Sequence, residues 1–174
     1  MRRVMAFVLL VCVALGVAAI GQSVVQTGSV QTFFNKGGDN LRAEICDFIK
    51  ETTTRLDVAI YDLTDSEIIQ ALADHTDATH DIRLIVSTEG GGGKLETDAC
   101  ALLFACGVQV KRISNMHHKF AVCGPRVLTG STNWTLNSIE TEANNLLVIN
   151  SLNIANSYET EFKRLWGKAT PFRQ

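Results

Sequence analysis

His117 and Lys119, then Ser131 and Asn133, form two pairs with the same spacing inside one short stretch of the chain. In extended backbone, positions i and i+2 point the same way, so His117 and Lys119 share a face while His118 takes the other. Gly130-Ser131-Thr132-Asn133 repeats the arrangement with a hydroxyl and a carboxamide. Together these groups suit a phosphodiester. Lys119 would meet its negative charge, Ser131 and Asn133 its nonbridging oxygens, and His117 its phosphorus as a nucleophile. Taken singly, such a His or Lys is an ordinary surface residue, and Ser or Asn after Gly is an ordinary turn. The chemistry rests on the constellation.

Hydrophobic patterning predicts the elements that would hold these groups. A strand is expected over residues 29–35, then a helix over 40–53, capped by Asp39, with Leu41, Ile45, Phe48 and Ile49 on one face. The run Leu56-Asp57-Val58-Ala59-Ile60-Tyr61 reads as a strand, and Thr64-Asp65-Ser66-Glu67 as a capping box opening a helix over 65–73. Residues 82–86 form another strand. The glycine tract 90–93 fails as a phosphate loop, because Leu95 stands where Ser or Thr is required and Thr88 where the first Gly is required, so it reads as a mobile connection. A helix over 94–105 ends at Gly107 and leads to a strand over 108–112. Residues 117–123 and 127–129 read as a hairpin turned by Gly124-Pro125-Arg126, followed by a strand over 145–149. A closing helix over 151–166 offers Ile154, Tyr158, Phe162, Leu165 and Trp166 for packing. The alternation predicts an α/β fold, a single-domain mixed β-sheet flanked by helices.

Composition fits this. Of 174 residues 46% are hydrophobic and 20% charged, with 13 Gly and 2 Pro, which excludes collagen, coiled coil and disorder. Arg2 and Arg3 precede an uncharged run over residues 4–21, so 1–21 is expected to be a signal peptide or membrane anchor and 22–174 one domain. Ala19 and Gly21 suit cleavage before Gln22, which would make the protein secreted or periplasmic; retention would anchor it in a membrane through residues 4–21. Net charge is −2, and without the leader 14 Lys and Arg face 18 Asp and Glu, a net of −4. Broad electrostatic capture of nucleic acid gains no support from that balance. Between Asp98 and Glu140, however, there is no carboxylate, while Lys111, Arg112, His117, His118, Lys119 and Arg126 all fall there. Cys46, Cys100, Cys106 and Cys123 lack paired spacing and read mostly as buried thiols, with one or two disulfides open to an exported chain. His75 and His80, near Asp74, Asp77 and Asp81, invite a metal reading, but their spacing does not put two ligands on one helical face, and they read as surface residues. Tyr61 and Trp134 could line a substrate groove or pack, and core packing is the expectation.

Met116-His117-His118-Lys119-Phe120-Ala121-Val122 followed by Leu128-Thr129-Gly130-Ser131-Thr132-Asn133-Trp134-Thr135 resembles the HxK and GSxN signature of the phospholipase D superfamily. It is most similar to the small single-motif branch, which includes mitochondrial cardiolipin hydrolases and small bacterial endonucleases. Residues 56–64 resemble that family's early strand and turn, and 161–166 its final helix, so the likeness runs from Phe33 to Trp166. The resemblance implies a phospholipase D-like fold and a phosphodiesterase that uses no metal or other cofactor and works through a phosphohistidine. With one motif per chain it implies a homodimer in which two copies of His117 face each other, one attacking and the other protonating the leaving oxygen. Its substrate would be nucleic acid for a released chain, or a phospholipid such as cardiolipin for an anchored one, including at the mitochondrial outer membrane.

Three departures qualify it. Gly124 stands where the motif has Asp, the spacing to Gly130 is one residue short, and Asn144 stands at a Glu position when Asn145 is aligned with the Asn that follows it. A deletion within a strand would reverse every later side chain, so it is placed in the turn. Glu142, two residues before Asn144, is the expected substitute for the Glu that orients the imidazole. Loss of both carboxylates also fits a relative that binds phosphodiesters without efficient cleavage.

Overall fold

The computed structural model describes residues 28–53, 55–77 and 80–173; the signal or anchor expected over 1–21 lies outside them. One eight-stranded mixed sheet runs through the molecule. Its strands are β1 (Ser29–Phe34), β2 (Arg55–Ile60), β3 (Asp81–Ser87), β4 (Gln109–Ile113), β5 (Lys119–Cys123), β6 (Arg126–Gly130), β7 (Asn145–Asn150) and β8 (Thr170–Pro171). Their spatial order is β1-β7-β6-β5-β2-β3-β4-β8, with β2, β3 and β4 mutually parallel and every other pairing antiparallel. Helices α1 (Leu41–Lys50), α2 (Ser66–His75) and α3 (Gly93–Ala105) cover one face, and α4 (Leu152–Trp166) covers the other.

Covering both faces explains why β2 is buried on both sides from Leu56 to Ile60. Leu56, Val58 and Ile60 join the core beneath α1 to α3, while Ala59 joins the core beneath α4. Asp57 also belongs to the α4 side and is only 2% exposed, held there by a bidentate pair with Arg83 at 2.7 and 2.6 Å. On α4 the buried face is Ala155, Phe162 and Leu165, with Tyr158 and Trp166 partly covered; Ile154, expected to pack, is exposed.

Two helix starts lie one residue later than expected. Asn40, not Asp39, caps α1 by accepting from Ala43 N, and Asp39 instead accepts from Phe34 N at 2.7 Å. Asp65, not Thr64, caps α2 by accepting from Glu67 N and Ile68 N. The tract read as a mobile connection is packed: a Cβ on Gly90 or Gly92 would collide with Tyr61 O, Thr64 or the Glu96 carboxylate. Cys46 and Cys100 are buried, Cys123 is half-buried and Cys106 exposed, all as free thiols. His75 closes α2 with Nε2 2.8 Å from Thr52 O, and its ring lies 4.3 Å from that of His80, so this pair is more tightly packed than the sequence suggested.

Candidate active site

The register brings the relevant segments to one end of the sheet. Ile60 faces Lys119 across β2 and β5, Phe120 faces Thr129 across β5 and β6, and Gly130 faces Leu146 across β6 and β7. The end of β2, the start of β5, the end of β6 and the start of β7 therefore meet beyond the carboxyl ends of the parallel strands, where open α/β sheets leave room for ligands.

His117 and His118 precede β5 rather than lying in it as expected, because the ladder to β2 begins only at Lys119. The alternation of side chains survives. Lys119 Nζ lies 3.3 and 3.4 Å from the two ring nitrogens of His117 and donates to His117 O at 3.2 Å. His118 turns away, with Nε2 3.1 Å from Glu161 Oε1. The Lys119 contacts set a cation against the exposed His117 ring. Burial lowers the Lys119 pKa, against the opposing charge of Asp62. The Tyr61 ring takes the groove rather than the core alternative: it stands 4.3 Å from the His117 ring and 5.0 Å from Lys119 Nζ, with its hydroxyl donating to Glu89 O at 2.7 Å. A cavity of about 370 Å³ opens there, lined by His117, Lys119, Thr129, Tyr158 and Glu161. Arg164, and then His118, hold the Glu161 carboxyl down at about 2.

Ser131 sits just past β6. Gly130 must lack a side chain, since a Cβ would overlap the carbonyl oxygen of Asn145. Ser131 Oγ donates to Asn144 Oδ1 at 2.7 Å and accepts from Asn145 N at 3.1 Å. Asn133 lines a neighbouring cavity of about 330 Å³ with Asp62, Thr64, Ser138 and Glu142, and its Oδ1 is buried without a hydrogen-bond partner among the described residues. The structure thus gathers the expected residues at one sheet end in two groups. No hydrogen bond among the described residues joins the His117 and Lys119 pair to Ser131, Asn133, Glu142 or Asn145.

The expected contact from Glu142 to His117 is not formed. A single π-turn over Asn137–Thr141 precedes Glu142, and the carboxylate folds back onto that turn. It accepts from Ser138 Oγ at 2.7 Å, Asn137 Nδ2 at 2.8 Å and Asn144 Nδ2 at 3.2 Å. Those bonds, Ser138 and Asn144 foremost, lower its pKa. The hairpin closes tightly: Cys123 faces Arg126 around a two-residue loop, Gly124 has φ +53°, and Pro125 follows. Positive φ before Pro is the type II′ pattern, which favours Gly at position 124 and disfavours the motif Asp. Asp62 was missed; its signal was an acidic residue at the end of a buried strand, two positions from Ile60.

The family model described as "Cardiolipin synthase, PLD-like domain" matches residues 45–166. The chain belongs to the phospholipase D-like family. Mitochondrial cardiolipin hydrolase of Xenopus laevis is 36% identical over 95 residues, covering 52% of this chain and 45% of that protein. The human protein of the same name is 34% identical over 94 residues, covering 52% and 37%. The match thus spans less than half the length of these curated relatives. Nuc from Salmonella typhimurium, a phospholipase D family member, superposes with a TM-score of 0.79 at 23% identity, covering 84% of this chain and 99% of that one. NucT from Helicobacter pylori gives 0.72 at 16% identity, covering 83% and 99%. These two likenesses establish the phospholipase D fold.

Proposed function

We propose that the protein hydrolyses phosphodiester bonds through a covalent intermediate on His117. The observation that carries this reading is the exposed imidazole with Lys119 Nζ at 3.3 Å, backed by the Tyr61 ring, at the common end of β2 and β5. Lys119 is placed to neutralise the phosphate as His117 attacks phosphorus. The P–O ester bond breaks as the P–N bond forms, and the leaving oxygen takes a proton from His117 of the partner subunit. That imidazole then removes a proton from water, whose oxygen displaces His117 and releases a phosphomonoester. Ser131, Asn133 and Asn145 supply polar groups for the nonbridging oxygens, which asks the two groups of side chains to close on the substrate. Charge and nucleophile both come from side chains, so no metal or other cofactor is assigned. A homodimer is part of the reading, as are export or membrane anchoring through residues 1–21 and a nucleic acid or phospholipid substrate.

A second reading, binding with little cleavage, is favoured by one observation: Asn144 and Gly124 replace the two carboxylates, and no described carboxylate bonds His117. One experiment separates them. The purified protein is incubated with bis(p-nitrophenyl) phosphate in EDTA beside His117→Ala, and the quenched reaction is assayed for an acid-labile phosphoramidate. Turnover in EDTA that drops by upward of about 10⁴-fold in the variant, with label trapped only on the wild type, supports hydrolysis. Equal signals from both proteins eliminate it, and turnover by a strictly monomeric species removes the dimer.

A further inference from the structure

A second cleft, of about 830 Å³, lies beside α3 and the ends of β3 and β4, with more than twice the volume of the His117 cavity. The chain's last segment builds its outer wall. Lys168 N bonds Leu165 O as α4 ends, β8 pairs antiparallel with β4 so that Thr170 faces Arg112, and Phe172 N donates to Val110 O at 2.9 Å. That hook sets Lys168 and Arg173 on either side of β8, both lining the cleft with Arg112. Thr88, Ser114 and Thr170 add hydroxyl groups, Ala101 and Phe172 an apolar wall, and none of the lining residues is acidic. Arg112 is already engaged by Glu96 Oε2 at 3.1 Å and Ser87 O at 3.3 Å. Lys168 and Arg173 form no ion pair among the described residues. Two cations in one concavity of an acidic protein, without an ion-pair partner among the described residues, attract an anion.

The cleft is near the chemistry. Ser114, on its wall, precedes His117 by three residues, no more than about 11 Å of chain. Granting the phosphodiesterase reading above, we propose that this cleft binds a second phosphate of the same substrate molecule, with Lys168 and Arg173 as its charge partners. A substrate with one phosphate leaves it empty. Two sources carry the required chemistry: the neighbouring nucleotide of a polynucleotide, and the second phosphate of a two-phosphate lipid.

The test compares the full chain with Lys168→Ala/Arg173→Ala on four substrates: bis(p-nitrophenyl) phosphate, a single-stranded oligonucleotide, and cardiolipin or phosphatidylglycerol diluted in neutral detergent micelles. The proposal expects KM to rise about tenfold at moderate salt for the oligonucleotide, for cardiolipin, or for both, identifying the source, with kcat unchanged. For an oligonucleotide the salt dependence of binding should flatten by about one logarithmic unit of slope. Both single-phosphate substrates should be unaffected. An equal change on all four, or on none, overturns the proposal. If the wild type turns over nothing, the phosphodiesterase reading fails, and anisotropy of a labelled oligonucleotide and micelle co-sedimentation still decide this one. Weaker binding by the double variant sustains it; unchanged binding of both ligands ends it.

Discussion

At position 144 a carboxamide does two things at once: Oδ1 accepts the Ser131 hydroxyl, and Nδ2 donates to Ser138 O and Glu142 Oε2. A glutamate could keep the first contact, but it would lose both donations and bring a second negative charge against Glu142. With Glu142 present, a donor at position 144 is favoured over a second carboxylate. Asn144→Glu is expected to lower Tm at pH 7 and to do so less at pH 4, where part of the carboxylate charge is lost. Glu142→Gln in the same chain should recover most of the loss, because an amide at 142 can donate to the new carboxylate. Thermal melts of single and double variants at both pH values check this. A double variant as unstable as the single one would place the cause elsewhere.

Trp134 shows how an element outside the regular sheet positions the site. The residue is 1% exposed, its backbone N–H donates to Asp62 O at 3.0 Å, and its carbonyl accepts from Thr64 N and Asp65 N at 2.9 Å. The segment carrying Ser131 and Asn133 is thereby fastened to the turn between β2 and α2. Trp134→Ala should cost about 3–5 kcal/mol in urea unfolding, whereas Trp134→Phe should retain much of that by keeping an aromatic ring in the cavity. Equal losses for the two would mean that a smaller aromatic ring recovers none of the packing. Here the sequence was informative, since a large aromatic after GSxN reads as core. Elements with strong local signals were equally legible: the apolar run of β2, the helical faces, and the Gly-Pro hairpin. Less so were features decided by distant or competing partners. The two-residue β8 exists only through its pairing with β4, and the π-turn before Glu142 has no periodicity of its own. The helix starts shifted because Asp39 beside Asn40, and Thr64 beside Asp65, offer adjacent acceptors for the same N–H groups. Residue types and spacing revealed His117 and Lys119, but not that Tyr61 and Asp62 stand beside them, because that contact depends on register between strands far apart in sequence.

Across the whole molecule, the loop glycines, α3 and β4 converge on one buried acid whose protonation enters the global stability. Glu96 is 1% exposed, accepts Leu63 N at 3.3 Å and Arg112 Nη2 at 3.1 Å, and has its carboxyl pushed up to about 7, first by burial and then by the charge of Asp62. In the unfolded chain the same group titrates near its ordinary 4.5. Between those values the folded state holds more protons than the unfolded state, so stability falls as pH rises. The contribution is complete below about pH 4.5 and is lost as pH passes through 7, a swing on the order of 3 kcal/mol. Glu96→Gln removes the titration while keeping an acceptor for Arg112 or Leu63 N and a donor toward Asp62. Urea unfolding from pH 4 to pH 8 should therefore show the variant gaining on the wild type across the upper part of that range, even if it starts lower at pH 4. Parallel stability curves for the two proteins would mean that Glu96 is ionised throughout, with Arg112 rather than a proton balancing its charge.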